Sequence, residues 1–402
     1  MDTKIFTEDV SEAAEIIRNG GLVAVPTETV YGLAGNGLDE RAVKEIYEVK
    51  GRPAVKPLSL MVPGKETIKR YCENVPPQAE RLAEKFWPGP LTIVLDSRDT
   101  VPEIVRAGGK TVGLRCPDHP KTLEALKKAD VPFAAPSANP SGEESPKNAG
   151  KVKEYFDGRI DGIIDGGPCG IGTESTIIDM SSVPYRILRQ GALSESDIEN
   201  ALKESITVIG ITGGTGSGKT TALDTLKKLG ALVIDCDRVY HSLLEESAEM
   251  KGELCAAFPE CVSEGRIDRK RIGSIVFQNK DALEKLNHIT HAYVKKEIDS
   301  SLREHAMSGG CLAAIDAIEL FSSGASEICK YTVGVIADPE KRIQRIMKRD
   351  NISEEYAAFR VNAQKPDEYF KSRCSYILEN NGEQSEFEEK CHKLFKEILK
   401  DE

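Results

Sequence analysis

The run Gly213-Gly214-Thr215-Gly216-Ser217-Gly218-Lys219-Thr220 places a glycine, four free positions and then Gly-Lys-Thr between an apolar run and a helical pattern. Glycines there let successive backbone N–H groups face one concavity, and the following helix adds its N-terminus. Together they hold phosphate oxygens. The expected contacts are Gly214, Thr215, Gly216, Ser217, Gly218, Lys219 and Thr220, with Lys219 reaching the terminal phosphates and the Thr220 hydroxyl on a metal, Mg²⁺. Asp235 and Asp237 close the next strand, at the sheet edge where open parallel sheets take ligands. Such a carboxylate accepts a hydroxyl proton, holds Mg²⁺ through water, or simply caps the next helix. Arg342, Arg345, Lys348 and Arg349 crowd a helical pattern over 340–350. They either clamp a transferred phosphoryl group or form a solvated basic face.

The first half has no such compact motif. It has polar residues at strand ends and in loops: Thr27-Glu28-Thr29 with Tyr31, Lys50 and Arg52, Arg115, Ser137 and Asn139, Ser175, and Arg189. Each has a plain structural alternative. Lys50 and Arg52 suit a helix C-terminus, and Ser137 and Asn139 suit turns. Jointly, Arg52, Arg115, Lys147 and Arg189 could neutralise a triphosphate or a carboxylate.

The elements that must hold these residues alternate strand and helix in both halves. In the first, strands are expected at 22–26, 91–95, 111–115, 132–135, 162–164 and 175–179, with a helix over 41–50 stopped by Gly51. Pro136 to Pro146 is rich in turn formers and reads as a loop. In the second, strands are expected at 206–211, 231–234, 312–315, 332–336 and 376–378. The boundary falls within Asp197–Ser205, giving domains 1–203 and 204–402.

The 402 residues suit two or three domains. The net charge is −11, shared almost evenly: 26 basic and 32 acidic residues up to 204, 28 and 33 after it. Neither half is a basic module, so no strong direct nucleic-acid binding is expected. Ten scattered cysteines without a C-x-x-C pair argue for free thiols. The longest apolar runs are strand-sized and no signal-peptide core is visible, so a cytoplasmic protein with no membrane partner is expected.

The second half resembles dephospho-coenzyme A kinase (CoaE-like) over about residues 206–400. The resemblance lies in Ile211-Thr212 and the glycine loop, Asp235-Cys236-Asp237, Gly265-Arg266-Ile267-Asp268-Arg269 with Val276-Phe277, and Leu286-Asn287-x-Ile289-x-His291. It continues through Arg345-x-x-x-Arg349-Asp350, Arg360-x-x-Ala363-Gln364 and Asn380-Asn381-Gly382. It implies a P-loop NTPase fold, a doubly wound parallel sheet with a lid. It makes Lys219 catalytic, Asp237 the base for the ribose 3′-hydroxyl of dephospho-CoA, Arg345 the lid arginine, and Thr212 a neighbour of the nucleotide. Departures are Ala292 where the family has proline, and Asp316-Ala317-Ile318-Glu319-Leu320-Phe321-Ser322 in place of Asp-x-Pro-Leu-Leu-Phe-Glu. The latter touches acceptor identity.

The first half is similar to threonylcarbamoyl-adenylate synthase (YrdC/Sua5-like) over about residues 8–200. The matching residues are Gly21 to Leu33, Lys50-Gly51-Arg52-Pro53, Lys56-Pro57-Leu58, Trp87 to Thr92, Val112 to Arg115, Ala135-Pro136-Ser137-Ala138-Asn139, Glu174 to Ile177, and Arg189-x-Gly191. The resemblance implies an α/β fold, an open twisted YrdC-like sheet. It also implies synthesis of L-threonylcarbamoyl-AMP from L-threonine, bicarbonate and ATP, for N6-threonylcarbamoyladenosine at tRNA position 37. By position, Thr29, Arg115, Ser137 and Ser175 meet threonine. Arg52, Lys56, Thr111, Asn139, Lys147 and Arg189 meet ATP, and Lys50, Arg52, Ser137 and Asn139 form the family tetrad and are expected to be catalytic. Met61 stands where some members have histidine, Lys147 where threonine is usual, and the extra C-terminal domain of longer members is expected to be absent.

The expectation is thus a bifunctional enzyme, a nucleotidyltransferase joined to a kinase, using ATP with Mg²⁺. Its partners are L-threonine, bicarbonate and dephospho-CoA, with hand-off of the product to the tRNA threonylcarbamoyl transferase complex. Two alternatives remain: a kinase of altered acceptor, or an RNA-binding module fused to a regulatory ATPase.

Overall fold

Helix Glu40–Lys50 illustrates how local chemistry sets the elements. The Asp39 carboxylate accepts from the Arg41 N–H at 2.9 Å, Val43, Ile46 and Tyr47 are buried, and Gly51 ends the helix at φ 60°. In the computed structural model, which describes residues 2–263, 266–276 and 279–400, such elements form two units. The first ends at Ser205, with Met307–Gly309 grouped to it, and the second begins at Ile206. Gly265 and Phe277 of the motifs above lie outside the described residues.

The first unit is built on ten strands: β1 (Lys4–Phe6), β2 (Val23–Val25), β3 (Gly32–Asn36), β4 (Ser59–Met61), β5 (Leu91–Asp96), β6 (Thr111–Arg115), β7 (Phe133–Ala134), β8 (Gly162–Ile164), β9 (Thr176–Asp179) and β10 (Arg186–Arg189). Their order is β1-β8-β2-β3-β7-β4-β6-β5-β9-β10, an open mixed sheet. Four of them were not foreseen: β1, β3, β4 and β10. The core joins Val23, Val25, Ala34, Phe133 and Ile164 of the sheet to Ala13, Ala14 and Ile17 of helix Ser11–Arg18 and Ala125, Leu126 and Ala129 of helix Pro120–Ala129. Pro136 to Pro146 carries no named element, as its turn formers suggest.

The second unit holds β11 (Thr207–Thr212), β12 (Leu232–Asp235), the antiparallel pair β13 (Val262–Ser263) and β14 (Arg266–Ile267), then β15 (Leu312–Asp316), β16 (Tyr331–Ile336) and β17 (Tyr376–Glu379). Five of these make a wholly parallel sheet ordered β12-β15-β11-β16-β17. Central β11 is buried at every residue, as a parallel strand covered on both faces must be. Helices Lys219–Lys228 and Gln384–Ile398 pack on the sheet through Leu226, Phe387, Phe395 and Ile398. Helices Pro339–Asp350 and Glu354–Asn362 pair through Ile346, Ala357 and Val361, the lid-like hairpin that the resemblance implied. All ten cysteines are free. Among the described residues no helix is long and apolar enough to cross a membrane.

Candidate functional sites

In the first unit the ends of β4, β5, β6, β9 and β10 surround a cleft lined by Arg52, Met61, Arg115, Ser137, Ser175 and Arg189, among others. Arg115 closes β6 and is 7% exposed. Its Nη2 donates to Glu28 Oε1 at 2.7 Å and to Thr29 Oγ1 at 2.8 Å, and its Nε donates to the Gly89 carbonyl at 3.3 Å. Burial pulls its pKa down and the Glu28 carboxylate opposes that. Glu28 also accepts from the Asp118 N–H at 2.9 Å, so the pair is braced from both sides. Thr29 is fully buried and shares a 2.9 Å hydroxyl contact with Thr27. It holds Arg115 from beneath the cleft.

A second arginine–glutamate pair lies at the other wall. Arg189 donates through Nη1 to Glu174, through Nε and Nη2 to the Ser175 carbonyl at 3.0 and 2.8 Å, and through Nη2 to Ser175 Oγ at 3.1 Å. Ser175 Oγ also meets Thr92 Oγ1 at 2.9 Å. Arg52 donates to the Lys56 and Pro57 carbonyls at 3.3 and 2.9 Å, which curls the Arg52–Leu58 loop around its guanidinium. Three guanidiniums therefore converge on one cleft, each steadied by groups of its own unit.

Lys50 stands apart. Although it ends its helix, its Nζ does not cap it. It is 4% exposed and donates to the carbonyls of Ser137 and Asn139. Burial without a bonded carboxylate lowers its pKa to about 7, with Arg52 adding repulsion. Because an unfolded lysine titrates near 10.4, the unfolded chain binds the extra proton between about 7 and that value. The Lys50 contribution to stability therefore rises with pH across that window and is lost as pH falls to 7. The unfolding midpoint of the native chain relative to Lys50→Met is expected to climb from pH 7 to pH 10 and to be flat below 7. A flat difference throughout would show that Lys50 is not buried as a near-neutral amine.

The remaining expected residues are less concentrated. Asn139 is buried, and its Nδ2 holds the turn through the Pro140 and Glu143 carbonyls at 2.8 Å each. Its Oδ1 is buried without a partner. Lys56 and Lys147 are exposed and Thr111 is half-buried, and none of the three lines the cleft. Thr111 shares the Arg115 face of β6, roughly 13 Å away along the strand. Glu28, Glu174 and Thr92 had been given no role. The signal for the glutamates was their place in the runs Thr27-Glu28-Thr29 and Glu174 to Ile177, each directly before an expected site residue.

In the second unit the glycine loop leaves the C-terminal end of β11. Gly213 has φ +146°, and a Cβ there would lie 2.1 Å from the Val335 carbonyl, so only glycine fits. The loop, Lys219 and Thr220 line a cavity together with Asp316, Arg345, Arg349 and Arg360. Lys219 Nζ donates to the Gly213 carbonyl at 3.2 Å and lies 4.0 Å from Asp316 Oδ1, which is buried with no hydrogen-bond partner. Burial raises the Asp316 pKa to about 6, opposed by Lys219 and reinforced by Asp235 and Asp237. Ser217 Oγ is likewise buried and unpartnered.

The two expected carboxylates diverge. Asp235 caps helix Cys236–Glu246, accepting from the Arg238 N–H at 3.0 Å, and lies in register with Asp316. Asp237 is exposed and lines an adjoining cavity with Tyr240, Asn287, His291, Lys295 and Glu319. Arg345 reaches the cavity but donates to the Gly216 carbonyl at 3.3 Å and to Asn380 at 3.0 and 3.1 Å. Arg349 and Arg360 share Asp350 at 2.6 Å each, and this holds the Asp350 carboxyl far below its usual range. Thr212 Oγ1 donates to the Ile318 carbonyl at 3.0 Å, beneath the loop. Asp316, Gln364 and Asn380 had been given no site role, while Arg342, one of the four basic residues expected either to clamp phosphate or to form a solvated face, is buried against Thr215 and Gln364 instead.

Thr220 and Asp316 line one cavity, and an orphaned carboxylate oxygen beside a lysine suits a hydrated Mg²⁺ that keeps its waters and phosphate ligands. Among the described residues no cluster of three His, Cys, Asp or Glu could form an all-protein cage.

A family model described as Telomere recombination (Sua5, YciO, YrdC) matches residues 15–191, and one described as Dephospho-CoA kinase matches residues 207–386. Threonylcarbamoyl-AMP synthase of Pyrococcus abyssi is 48% identical over 192 residues, covering 48% of this chain and 56% of that protein. A Methanocaldococcus jannaschii protein of the same named family is 37% identical over 177 residues, covering 44% of this chain and 83% of that one. Dephospho-CoA kinase of Geobacter sulfurreducens is 34% identical over 190 residues, covering 47% of this chain and 96% of that protein. The chain spans 53 to 56% of the length of the first three curated synthases that it matches.

Proposed function

The chain belongs to the threonylcarbamoyl-AMP synthase family through its first half and to the dephospho-CoA kinase family through its second, and from this we propose a bifunctional enzyme that cleaves ATP in two different ways. The observation that carries the reading is the presence on one chain of two built anion sites. One is the three-arginine cleft and the other is the glycine loop with Lys219.

In the first site, the amine of L-threonine adds to the carbon of bicarbonate, a C–O bond breaks and water leaves, giving the N-carboxylate of threonine. Its carboxylate oxygen attacks the α-phosphorus of ATP, the α–β bond breaks, and pyrophosphate leaves. Arg115, set by Glu28 and Thr29, meets the amino acid with Ser137 and Ser175. Arg52, Arg189 and Asn139 meet the nucleotide, with Lys56, Thr111 and Lys147 at its outer parts. Little covalent help is needed: cations stabilise the developing charge, and the enclosing walls keep water from the labile carbamate. The product serves tRNA threonylcarbamoyladenosine formation through hand-off to the transferase complex.

In the second site, the loop N–H groups and Lys219 hold the β- and γ-phosphates. Asp237 takes the proton of the ribose 3′-hydroxyl of dephospho-CoA, whose oxygen attacks the γ-phosphorus as ADP leaves. Arg345, Arg349 and Arg360 face the transferred group. Thr220 and, through water, Asp316 would hold Mg²⁺, which supplies charge neutralisation of the phosphates when bound. Cytoplasmic location belongs to the same reading.

A kinase of altered acceptor is favoured by one observation: Ile318 and Glu319, from the departing segment, line the cavity beside Asp237. An acceptor screen at fixed ATP tests the choice. ADP release is expected with dephospho-CoA and not with simple nucleosides. Turnover only with another hydroxyl acceptor would replace the assignment.

A further inference from the structure

Two residues of the sequence motifs, Gln364 of Arg360-x-x-Ala363-Gln364 and Asn380 of Asn380-Asn381, take no part in the steps above. Gln364 lies just beyond the second lid helix, yet it bonds the P-loop. Its Oε1 accepts from the Thr215 N–H at 2.8 Å, and its Nε2 donates to Thr215 Oγ1 at 2.7 Å. Arg342, from the first lid helix and 4% exposed, donates through Nη2 to the same Gln364 Oε1 at 2.6 Å and through Nε to the Thr215 carbonyl at 3.0 Å. Both main-chain polar groups and the hydroxyl of Thr215 are thus bonded by two residues of the lid hairpin. Neighbouring loop carbonyls are tied in the same direction, Gly216 to Arg345 and Ser217 to Asn380, the latter at 2.8 Å.

The physical need is plain. Four of the eight loop residues from Gly213 to Thr220 are glycine, so the free loop has much conformational freedom to lose before its N–H groups can converge on phosphate. A primary amide suits Thr215 because it presents an acceptor to the N–H and a donor to the hydroxyl from one rigid plane. We propose that Gln364 is a positioning residue that couples the lid hairpin to the P-loop through Thr215, so that lid docking and phosphate binding support each other. Gln364 touches no reacting atom. The inference rests on the nucleotide-binding reading of the P-loop and is independent of which hydroxyl accepts the phosphoryl group.

The test uses the full chain and ATP as the probe, without threonine or acceptor, by titration calorimetry. The component of ATP binding that disappears in Lys219→Ala reports the P-loop. Gln364→Leu, which keeps volume and loses the two hydrogen bonds to Thr215 and the one from Arg342, is expected to weaken that component roughly 10- to 100-fold. Thr215→Val, which removes the hydroxyl contact and keeps the main-chain one, should weaken it less, and the double variant should be no worse than Gln364→Leu, which already removes that contact. Gln364→Glu should restore most of the affinity: its carboxylate still accepts from the Thr215 N–H and pairs with Arg342, while the hydroxyl turns to donate. Fully additive losses in the double variant, failure of Gln364→Glu to recover, or unchanged ATP affinity in Gln364→Leu with only a lower melting temperature would each overturn the coupling. Absence of any Lys219-sensitive ATP binding in the native chain would overturn the P-loop reading and this proposal with it, an outcome distinct from the others.

Discussion

Lys219→Ala is expected to remove acceptor-dependent ADP release by about 10²- to 10³-fold or more, while threonine-dependent pyrophosphate release continues at the native rate. Lys219 is the one ammonium in the P-loop cavity among the described residues, 4.0 Å from a buried carboxylate. Without it, the terminal phosphates would face the unpartnered Asp316 oxygen with no nearby lysine. Arg52→Ala is expected to do the converse: it removes one of three guanidiniums from the cleft of the first unit and leaves the P-loop untouched. Paired rate measurements on the two variants check this. Loss of both activities in either variant would mean that one site serves both reactions.

Arg115→Ala is expected to have the largest effect within the first unit, and for two separable reasons. Its guanidinium is the expected partner of the threonine carboxyl group, so pyrophosphate release should fall at least about 10²-fold, mostly through a higher threonine KM. Its removal also takes the counter-charge from Glu28, which keeps the Asp118 N–H and whose side chain is 12% exposed against 8% for Arg115. Breaking such a buried pair from one side typically costs about 3–5 kcal/mol. Arg115→Ala should therefore lower the unfolding midpoint as well as the rate, and Arg115→Ala/Glu28→Gln should recover stability without recovering turnover. Thermal unfolding beside steady-state kinetics separates the two. A variant with native threonine KM would show that Arg115 is structural only.

The strands with β-branched or long apolar residues were legible in the sequence. Thr111–Arg115 and Gly162–Ile164 fall where alternation and turn signals put them, and β11, β12 and β15 lie within a residue or two of expectation. The four unforeseen strands of the first unit lack that signature for physical reasons. β3 reads Gly-Leu-Ala-Gly-Asn and owes its place to close packing: a Cβ on Gly35 would meet Leu22 at 2.9 Å and Ile46 at 3.1 Å. β4 is three residues shortly after Pro57, paired on both sides by partners distant in the chain. β1 and β10 are edge strands, short and partly exposed, where burial leaves little pattern to read.

At the sites, residues carried by a compact motif were visible, and those that act through neighbours were not. The glycine loop could be read from eight consecutive residues. Gln364 could not, because its partner Thr215 is 149 positions away and the contact depends on how the lid hairpin packs. Lys50 shows the reverse case. Its position at a helix end suggested capping, and only the fold shows its ammonium turned inward to two carbonyls. Asp235 does serve as a cap, the plainer of the roles open to it, while Asp316 supplies the buried carboxylate beside Lys219.

The central claim is that one chain breaks ATP at two different bonds, and labelled ATP tests it most directly. With α-labelled ATP, label should enter a threonine-containing adenylate only when threonine and bicarbonate are both present, with unlabelled pyrophosphate released. With γ-labelled ATP, label should enter the 3′-phosphate of coenzyme A only when dephospho-CoA is present. Transfer of neither label to its cosubstrate, or ATP turnover indifferent to threonine, bicarbonate and dephospho-CoA, would contradict the account.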